Sequence, residues 1–288
     1  MTSADADVAD VTAVIVTYEP QPVLVAAVDA LLAAPVRPRH VVIVDNASTD
    51  TTALDEVERN HPTLQVLRQP ANLGYCAANN IGCRAAPPSE HVLFLNPDAV
   101  VTPDFLAGAV RVLDANRDAA AVGPKLLQLD LTTMQPTGRI DSAGIVQAWW
   151  GRITDRGQGE DDGGQYDGAA VDIPALCGAA ILARRTALDH VARDGAVFDE
   201  RFFMFKEDVD LSYRLRAAGW RLLFVPELVV HHGRGNLQID RASIAPWVRR
   251  RSLRNEWRLW AKPSLPPGRR LPMLGYLLAK SIAVGAGR

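Results

Sequence analysis

Cysteine is scarce in this chain: Cys76, Cys83 and Cys177 are the only three in 288 residues. None forms a Cys-x-x-Cys pair, so neither a disulfide framework nor a thiolate zinc site is expected. The plain reading is three buried thiols in a reducing compartment. No apolar run approaches 18 uninterrupted residues, so no membrane-spanning helix is expected. The first ten residues hold Asp5, Asp7 and Asp10 and no basic residue. A secretory leader starts basic and continues apolar, so a cytoplasmic protein is expected. An excess of one charge is missing too. Lys and Arg number 31 against 33 Asp and Glu, a formal net charge of −2. That balance argues against coating nucleic-acid phosphates over the whole surface. Two phosphate-binding signatures are also absent. No Gly-x-Gly-x-x-Gly follows an apolar run and no Gly-x-x-x-x-Gly-Lys-Ser/Thr occurs, which disfavours a dinucleotide dehydrogenase and a P-loop enzyme.

What is present is an ordinary globular composition, 48% hydrophobic and 22% charged, which excludes general disorder. The chain alternates between strand and helix patterns. Thr12-Ala-Val-Ile-Val-Thr-Tyr18 and His40-Val-Val-Ile-Val44 are uniformly apolar or β-branched, as in strands covered on both faces. Between them Leu24, Ala27, Val28, Leu31 and Leu32 recur at helical spacing, and Pro35 and Pro38 end the helix. Further strands are expected at 64–67 and 91–95, with a helix at 74–86. Strands separated by helices imply parallel pairing. Residues 131–172, rich in Gly, Asp and Gln, are expected to form a long loop with at most a hairpin. A helix is expected over 209–218, closed by Gly219, then a strand over 220–225. Four regions follow: a disordered acidic tail at 1–10, a strand–helix half at 11–125, a second half at 126–233 and a basic amphipathic extension at 234–288.

Polar residues collect where the strands end, and ligands of open parallel sheets bind beyond those ends. Thr17-Tyr18-Glu19, Asp45-Asn46 and Asn96-Pro-Asp98 lie there. Asp45 suits the imide hydrogen of a pyrimidine, though Asp-Asn is equally common as a plain turn. Asp98 offers oxygen to a hard cation, although one carboxylate needs a second ligand. Glu207-Asp-Val-Asp210 begins a helix, where acids are favoured on electrostatic grounds alone and where a general base could also stand. His231 and His232 are adjacent on an extended segment, so only one of them faces a given site.

Seven stretches in order resemble the family-2 glycosyltransferases of the GT-A fold. They are Ala13-Val-Ile-Val-Thr-Tyr18, Val44-Asp-Asn-Ala-Ser-Thr-Asp50, Asn72-Leu-Gly-Tyr75, Leu95-Asn-Pro-Asp98, Phe198 to Leu211, Gly219-Trp220 and His231-His232. The bacterial rhamnosyltransferase-like subgroup is the nearest in appearance. The resemblance implies an α/β fold with a mostly parallel central sheet flanked by helices. It implies that Thr17, Tyr18, Glu19, Asp45, Asn46, Asn72, Gly74 and Asn79 hold the nucleotide, with Asn96 beside them in place of the first Asp of the usual motif. Asp98 and His232 are implied as ligands of a divalent cation, Mg2+ or Mn2+, and Asp208 as catalytic base with Glu207 next to it. The implied activity is inverting transfer of a sugar, L-rhamnose by resemblance, from a dTDP- or UDP-linked donor to a glycan or lipid-linked acceptor. Two rivals are a sugar-1-phosphate nucleotidyltransferase and a catalytically inactive glycan-binding homologue. The first lacks its Gly-rich basic loop here, since Tyr18-Glu-Pro-Gln-Pro22 stands in that place.

The near-neutral total hides a segregation. Residues 1–233 hold 19 basic and 31 acidic residues, net −12, and residues 234–288 hold 12 and 2, net +10. Arginines with Trp247, Trp257 and Trp260 suit a helix on an anionic membrane, through residues 247–288. A helix docked on the acidic body, or on a second subunit of a homodimer, satisfies the same pattern. Trp149 and Trp150 in the long loop are expected either to stack on a sugar or to sit on a mobile surface.

Overall fold

The computed structural model describes residues 7–234 and 245–285. Residues 1–6 of the expected acidic tail, and 235–244 and 286–288 of the basic extension, lie outside the described residues. The first half is a parallel sheet: β1 (Asp7–Thr17), β2 (Val36–Asp45), β3 (Gln65–Arg68) and β4 (His91–Leu95), in spatial order β3-β2-β1-β4. Val14, Ile15, Ile43, Val44, Leu93 and Phe94 are at most 1% exposed, which explains their unbroken apolar runs. Helices α1 (Val23–Ala33), α2 (Thr52–Asn60) and α3 (Tyr75–Ala85) make the crossovers. The order reverses at β1, between β2 and β4, and a crevice opens beyond the carboxyl ends there.

The second half extends the same sheet. Its elements are β5 (Ala99–Val101), α4 (Phe105–Ala115), β6 (Ala119–Asp130), β7 (Gln135–Ser142), β8 (Ile145–Gln147), β9 (Ile153–Asp155), β10 (Val171–Asp172), β11 (Ala180–Arg184), α5 (Arg185–Val191), α6 (Glu207–Ala217) and β12 (Arg221–His232). Beyond β4 the order is β11-β6-β12-β10, with β11 antiparallel to both β4 and β6, and β12 parallel to β6. β5 pairs antiparallel with β12 and sets Ala99 opposite His232. Two apolar layers flank the sheet. Leu24, Val28, Leu54, Phe105 and Leu106 from α1, α2 and α4 cover one face. Cys76, Leu188, Val209, Leu259, Met273 and Leu277 pack in the other layer. Each such side chain contributes about 1.5–3 kcal/mol of burial.

Leu259, Met273 and Leu277 belong to α7 (Pro246–Ala261) and α8 (Pro267–Gly285), so the basic extension is part of the folded body. Lys262, just past α7, is buried and ion-paired to Asp199 at 2.7 Å and Asp210 at 2.6 Å.

Three sequence expectations change. Part of the expected acidic tail, from Asp7, is strand, because 7–9 pair with 36–38 of β2. Pro38 therefore lies inside a strand, next to a register irregularity between Ala9 and Thr12 that accommodates its missing N–H. The stretch 131–172 is not one loop. β7 folds back on β6, and β8 pairs with β9.

Candidate active site

A cavity of about 320 Å3 opens over the crevice. Thr17, Tyr18 and Glu19 line it from the end of β1, Asn46 from β2, Asn72 and Gly74 from the β3–α3 loop, and Asn96 and Asp98 from β4. Tyr75, Phe203 and Met204 complete the wall. The loops are cross-braced. Asn46 Nδ2 donates to Asn72 Oδ1 at 2.9 Å, and Asn46 Oδ1 accepts from the Leu73 amide at 2.9 Å. The Asn72 Oδ1 also accepts from the Gly74 amide at 3.0 Å. Thr17 Oγ1 is buried without a partner, a hydroxyl suited to a ligand atom.

The expected residues divide. Glu19 reaches the rim, but its carboxylate accepts from the Thr49 and Asp50 amides and the Thr49 hydroxyl, which hold its pKa below the usual range. Asp45 and Asn79 do not line the cavity. Asp45 Oδ1 accepts from Ser48 Oγ at 2.5 Å and from the Ser48 amide at 3.2 Å, so its short side chain closes its own turn. Asn79 lies one helical turn inside α3, where its Nδ2 donates to the Tyr75 carbonyl at 3.0 Å. Cys76 and Cys83 are buried, as expected, while Cys177 is only partly buried and lines a second cavity.

Asp98 and His232 meet at the crevice. His232 Nε2 is 3.2 Å from Asp98 Oδ1 and 3.3 Å from Asn96 Nδ2. His232 is buried and His231 half-buried, the division that an extended backbone requires. On the far side of the ring, His232 Nδ1 is 2.8 Å from Asp141 Oδ2. Asp141 in turn is ion-paired to Arg234 Nε at 2.7 Å, and Arg234 donates to Asp155 at 3.0 Å. Burial alone would lower the His232 pKa, but the Asp98 charge and the hydrogen bonds to Asp141 and Asp98 raise it to about 9. A proton thus holds an imidazole nitrogen and a carboxylate together, and a divalent cation fits the same pair of donors. The carboxylate behind Nδ1 is the usual support of a metal-ligating histidine. A second group, Glu90, His91 and Asp114, places ligand atoms within 4.8 Å of one another at the opposite end of β4. There the Arg184 guanidinium stands 3.9 Å from Glu90 and supplies positive charge.

Glu207 and Asp208 open α6 and line the second cavity, of about 740 Å3, rather than the first. Asp208 accepts from the Gly178 amide at 3.1 Å and the Val209 amide at 2.8 Å. Glu207 Oε2 is shut from solvent without a partner. Desolvation raises both pKa values, and the Asp208 charge adds to the rise of Glu207, to about 8. Arg152, Lys206, Arg249 and Lys280 bring positive charge to this cavity, and Trp150, Tyr276 and Val284 bring apolar surface. Trp150 meets Tyr276 edge-on at 5.5 Å, while Trp149 is 84% exposed. The Trp loop therefore packs on α8 beside the second cavity and does not line the first.

The sequence reading assigned no role to Asp141, Arg234 or Tyr75 individually. Arg234 follows His232 by two residues, a detectable signal once that histidine is singled out. Asp141 stands 91 positions from its partner, so no spacing reveals it.

Residues 9–251 match the family described as glycosyltransferase like family 2. An N-acetylglucosaminyl-diphospho-decaprenol L-rhamnosyltransferase of Mycobacterium tuberculosis is 33% identical over 245 residues, spanning 80% of this chain and 78% of that protein. A pre-mycofactocin glycosyltransferase of the same species is 28% identical over 224 residues, 77% of this chain and 42% of that protein. Among solved structures, GalNAc-T7 with UDP, GalNAc and Mn2+ aligns with TM-score 0.63 at 18% identity, over 96% of this chain and 55% of that one. The mannosyltransferase PcManGT of Pyrobaculum calidifontis, with GDP-Man and Mn2+, aligns with TM-score 0.61 at 19% identity, over 96% and 74%. At such identities the structural likeness concerns the fold, which is GT-A. The family match excludes the nucleotidyltransferase reading, and the chain belongs to glycosyltransferase family 2 as a GT-A glycosyltransferase.

Proposed function

We propose that the protein moves L-rhamnose from a dTDP- or UDP-linked donor to a hydroxyl of a saccharide carried on a lipid diphosphate, with inversion at the anomeric carbon. One observation carries this reading. Two cavities meet across a single turn: Phe203 and Met204 wall the cleft beyond the parallel strands, and Phe205 and Lys206 wall the cavity of the acid pair. The sugar is taken to be rhamnose because the relative that is 33% identical is named a rhamnosyltransferase. The lipid diphosphate is supported by that same name and by Arg152, Lys206, Arg249 and Lys280, four of the five basic residues that line the second cavity.

In this reading Thr17, Asn46, Asn72 and Gly74 hold the nucleotide. Asp208, fixed by two backbone amides, takes the proton from the acceptor hydroxyl as its oxygen bonds to the anomeric carbon. The bond from that carbon to the diphosphate oxygen breaks, and its electron pair leaves with the nucleoside diphosphate. One base and no glycosyl-enzyme intermediate give inversion. A divalent cation, magnesium or manganese, held by Asp98 and His232 would offset charge on the departing diphosphate. Peripheral contact with an anionic bilayer through α7 and α8 would present the acceptor to the second cavity. Among the described residues no helix is long and apolar enough to cross a membrane.

The test is direct. Mixing the protein with dTDP-L-rhamnose or UDP-sugars, a synthetic N-acetylglucosaminyl diphospholipid and Mn2+ should release nucleoside diphosphate and form disaccharide. No product with any nucleotide sugar would sink the reading. Asp208→Asn should lower kcat at least about a thousandfold, as expected for loss of a general base in a preorganised site, with little change in thermal midpoint. Near-normal turnover would remove Asp208 as base. Desolvation raises the Asp208 pKa, so the carboxylate protonates at higher pH than an ordinary aspartate, which titrates near ~4. The acid limb of the kcat profile should therefore lie above that value, and a limb at or below it would contradict the assignment.

A further inference from the structure

The turn between the two cavities has a backbone its residues do not favour. Phe203 sits at φ 64°, ψ −63°, and the Met204 amide donates to the Phe202 carbonyl at 2.7 Å. This is the rare, strained form of the γ-turn. Phe205 at φ 71° and Lys206 at φ 70° follow in the left-handed region. Three such residues within four positions persist only where the surroundings over-determine them.

The surroundings come mainly from one side chain. Asn255, on α7 and fully buried, directs Nδ2 at the carbonyls of Phe202, Met204 and Phe205, at 2.9, 2.9 and 2.8 Å. The remaining carbonyl, of Phe203, accepts from the Cys76 amide at the start of α3, at 3.1 Å. Four successive carbonyls thus find a donor, three of them sharing the two N–H groups of one carboxamide. Arg258 donates to Asn255 Oδ1 at 2.7 Å, which fixes the amide with its nitrogen toward the turn. Arg251, one helical turn earlier, lays its guanidinium 4.3 Å from the centre of the Phe203 ring.

We propose that Asn255 is a positioning residue for the transfer. By holding the strained turn it sets the separation and aim between the donor cleft and the Glu207–Asp208 pair. Helix α7 then belongs to the transfer machinery and is not an appendage to it. The inference rests on the transferase reading above. Misplacing reactants by about 1 Å costs on the order of a hundredfold in rate, so a clamp at this point acts through kcat.

The test compares Asn255→Ala, Arg251→Gln and, as a control, Ser281→Ala. The control loses the 3.1 Å Trp257–Ser281 hydrogen bond between α7 and α8 without touching the turn. For Asn255→Ala, kcat per folded enzyme should fall about ten- to a hundredfold. Its affinity for free dTDP or UDP should stay within about threefold, because most nucleotide contacts come from the strand-end loops. Amide hydrogen exchange across 202–206, read without any substrate, should rise at least about tenfold as the turn is released. Arg251→Gln should lose a few-fold in kcat with an unchanged thermal midpoint, and it decides the matter if Asn255→Ala does not fold. Ser281→Ala should lower the thermal midpoint and leave kcat alone. A normal kcat in folded Asn255→Ala overturns the clamp while the transferase reading stands. An equal kcat loss in Ser281→Ala also overturns it, in favour of general loosening. Absence of transfer by the unaltered protein removes both.

Discussion

His232 is held at both ring nitrogens by carboxylates, Asp98 at 3.2 Å and Asp141 at 2.8 Å. The two contacts do different things. Asp141 is wholly buried and lies on the far side of the ring from Asp98, so it fixes the ring and leaves Nε2 directed at Asp98. Asp141→Asn keeps the shape and an acceptor oxygen but removes one of the two carboxylate charges that raise the imidazole pKa, the larger being that of Asp98. The expected result is Mn2+ affinity weaker by about 10–100-fold, the usual cost of losing such a support, measured by titration of the protein without donor. Unchanged affinity would show that Asp98 and His232 do not form the cation site, or that Asp141 does not support it. At this scale the sequence is legible only in part. Asp98 and His232 stand out through motif order, and the structure brings them together across β5 and β12. Asp45 and Glu19 look alike as strand-end acids, yet both carboxylates are consumed by local amides and hydroxyls. No pattern in one sequence distinguishes an acid that binds a ligand from one that closes its own turn.

The β3–α3 junction shows how elements set the site. Gly74 has φ +85°, and a Cβ there would lie 2.4 Å from the Phe203 ring and 2.8 Å from the Phe203 carbonyl. The start of α3 thus docks directly on the strained turn that separates the two cavities. Gly74→Ala combines an unfavourable φ with a contact that neither a ring nor a backbone carbonyl can yield easily. It should cost at least about 2 kcal/mol, a drop of roughly 4 °C or more in thermal midpoint. It should also weaken binding of free nucleoside diphosphate, since Gly74 lines that cleft. A midpoint and affinity equal to those of the parent would refute both expectations. Elements of the first half are readable because each carries its own period: apolar runs for β1, β2 and β4, helical spacing for α1. β7 to β10 are not readable in the same way. β7 is exposed over its first five residues, β8 and β9 are three residues each, and the two-residue β10 is held by a distant partner, Val171 with Phe224. Pairing with a neighbouring or distant strand overrides local pattern there. β12 runs on past Pro226 to His232 because its register shifts between Val225 and Val229, an irregularity that local propensity does not announce.

Charge is segregated across the whole molecule, and the fold shows where part of it goes. Lys262 pairs with Asp199 and Asp210 of the body, Arg234 pairs with Asp141 and Asp155, and Lys280 pairs at 2.7 Å with Glu256 of the extension itself. The acidic body therefore captures some of the basic extension, one of the three placements its composition allowed. It does not capture all of it. Residues 246–285 hold nine Lys and Arg against one acid, and Arg250, Arg254 and Arg269 remain exposed. On α8, Leu271, Leu278 and Ile282 are 80%, 53% and 74% exposed. Their spacing of seven and four residues puts them in one stripe along the helix. The opposite side of this helical pair faces inward, with Tyr276, Lys280 and Val284 lining the cavity of the acid pair. An apolar stripe with nearby cations suits an anionic bilayer, where each Lys or Arg near the surface contributes about 1 kcal/mol. Deleting 247–288 is not a clean test, because it also removes Asn255 and Lys262. Leu278→Ser with Ile282→Ser leaves the buried contacts intact. The unaltered protein should float with phosphatidylglycerol vesicles and much less with phosphatidylcholine. The double variant should bind the anionic vesicles at least about tenfold more weakly, given about 1.5–3 kcal/mol per buried aliphatic side chain. Its kcat on a short, water-soluble acceptor should be unchanged, since neither residue lines a cavity. Equal flotation of parent and variant would remove the stripe from the bilayer contact, and failure of the parent to float would drop the anionic bilayer from the proposed function.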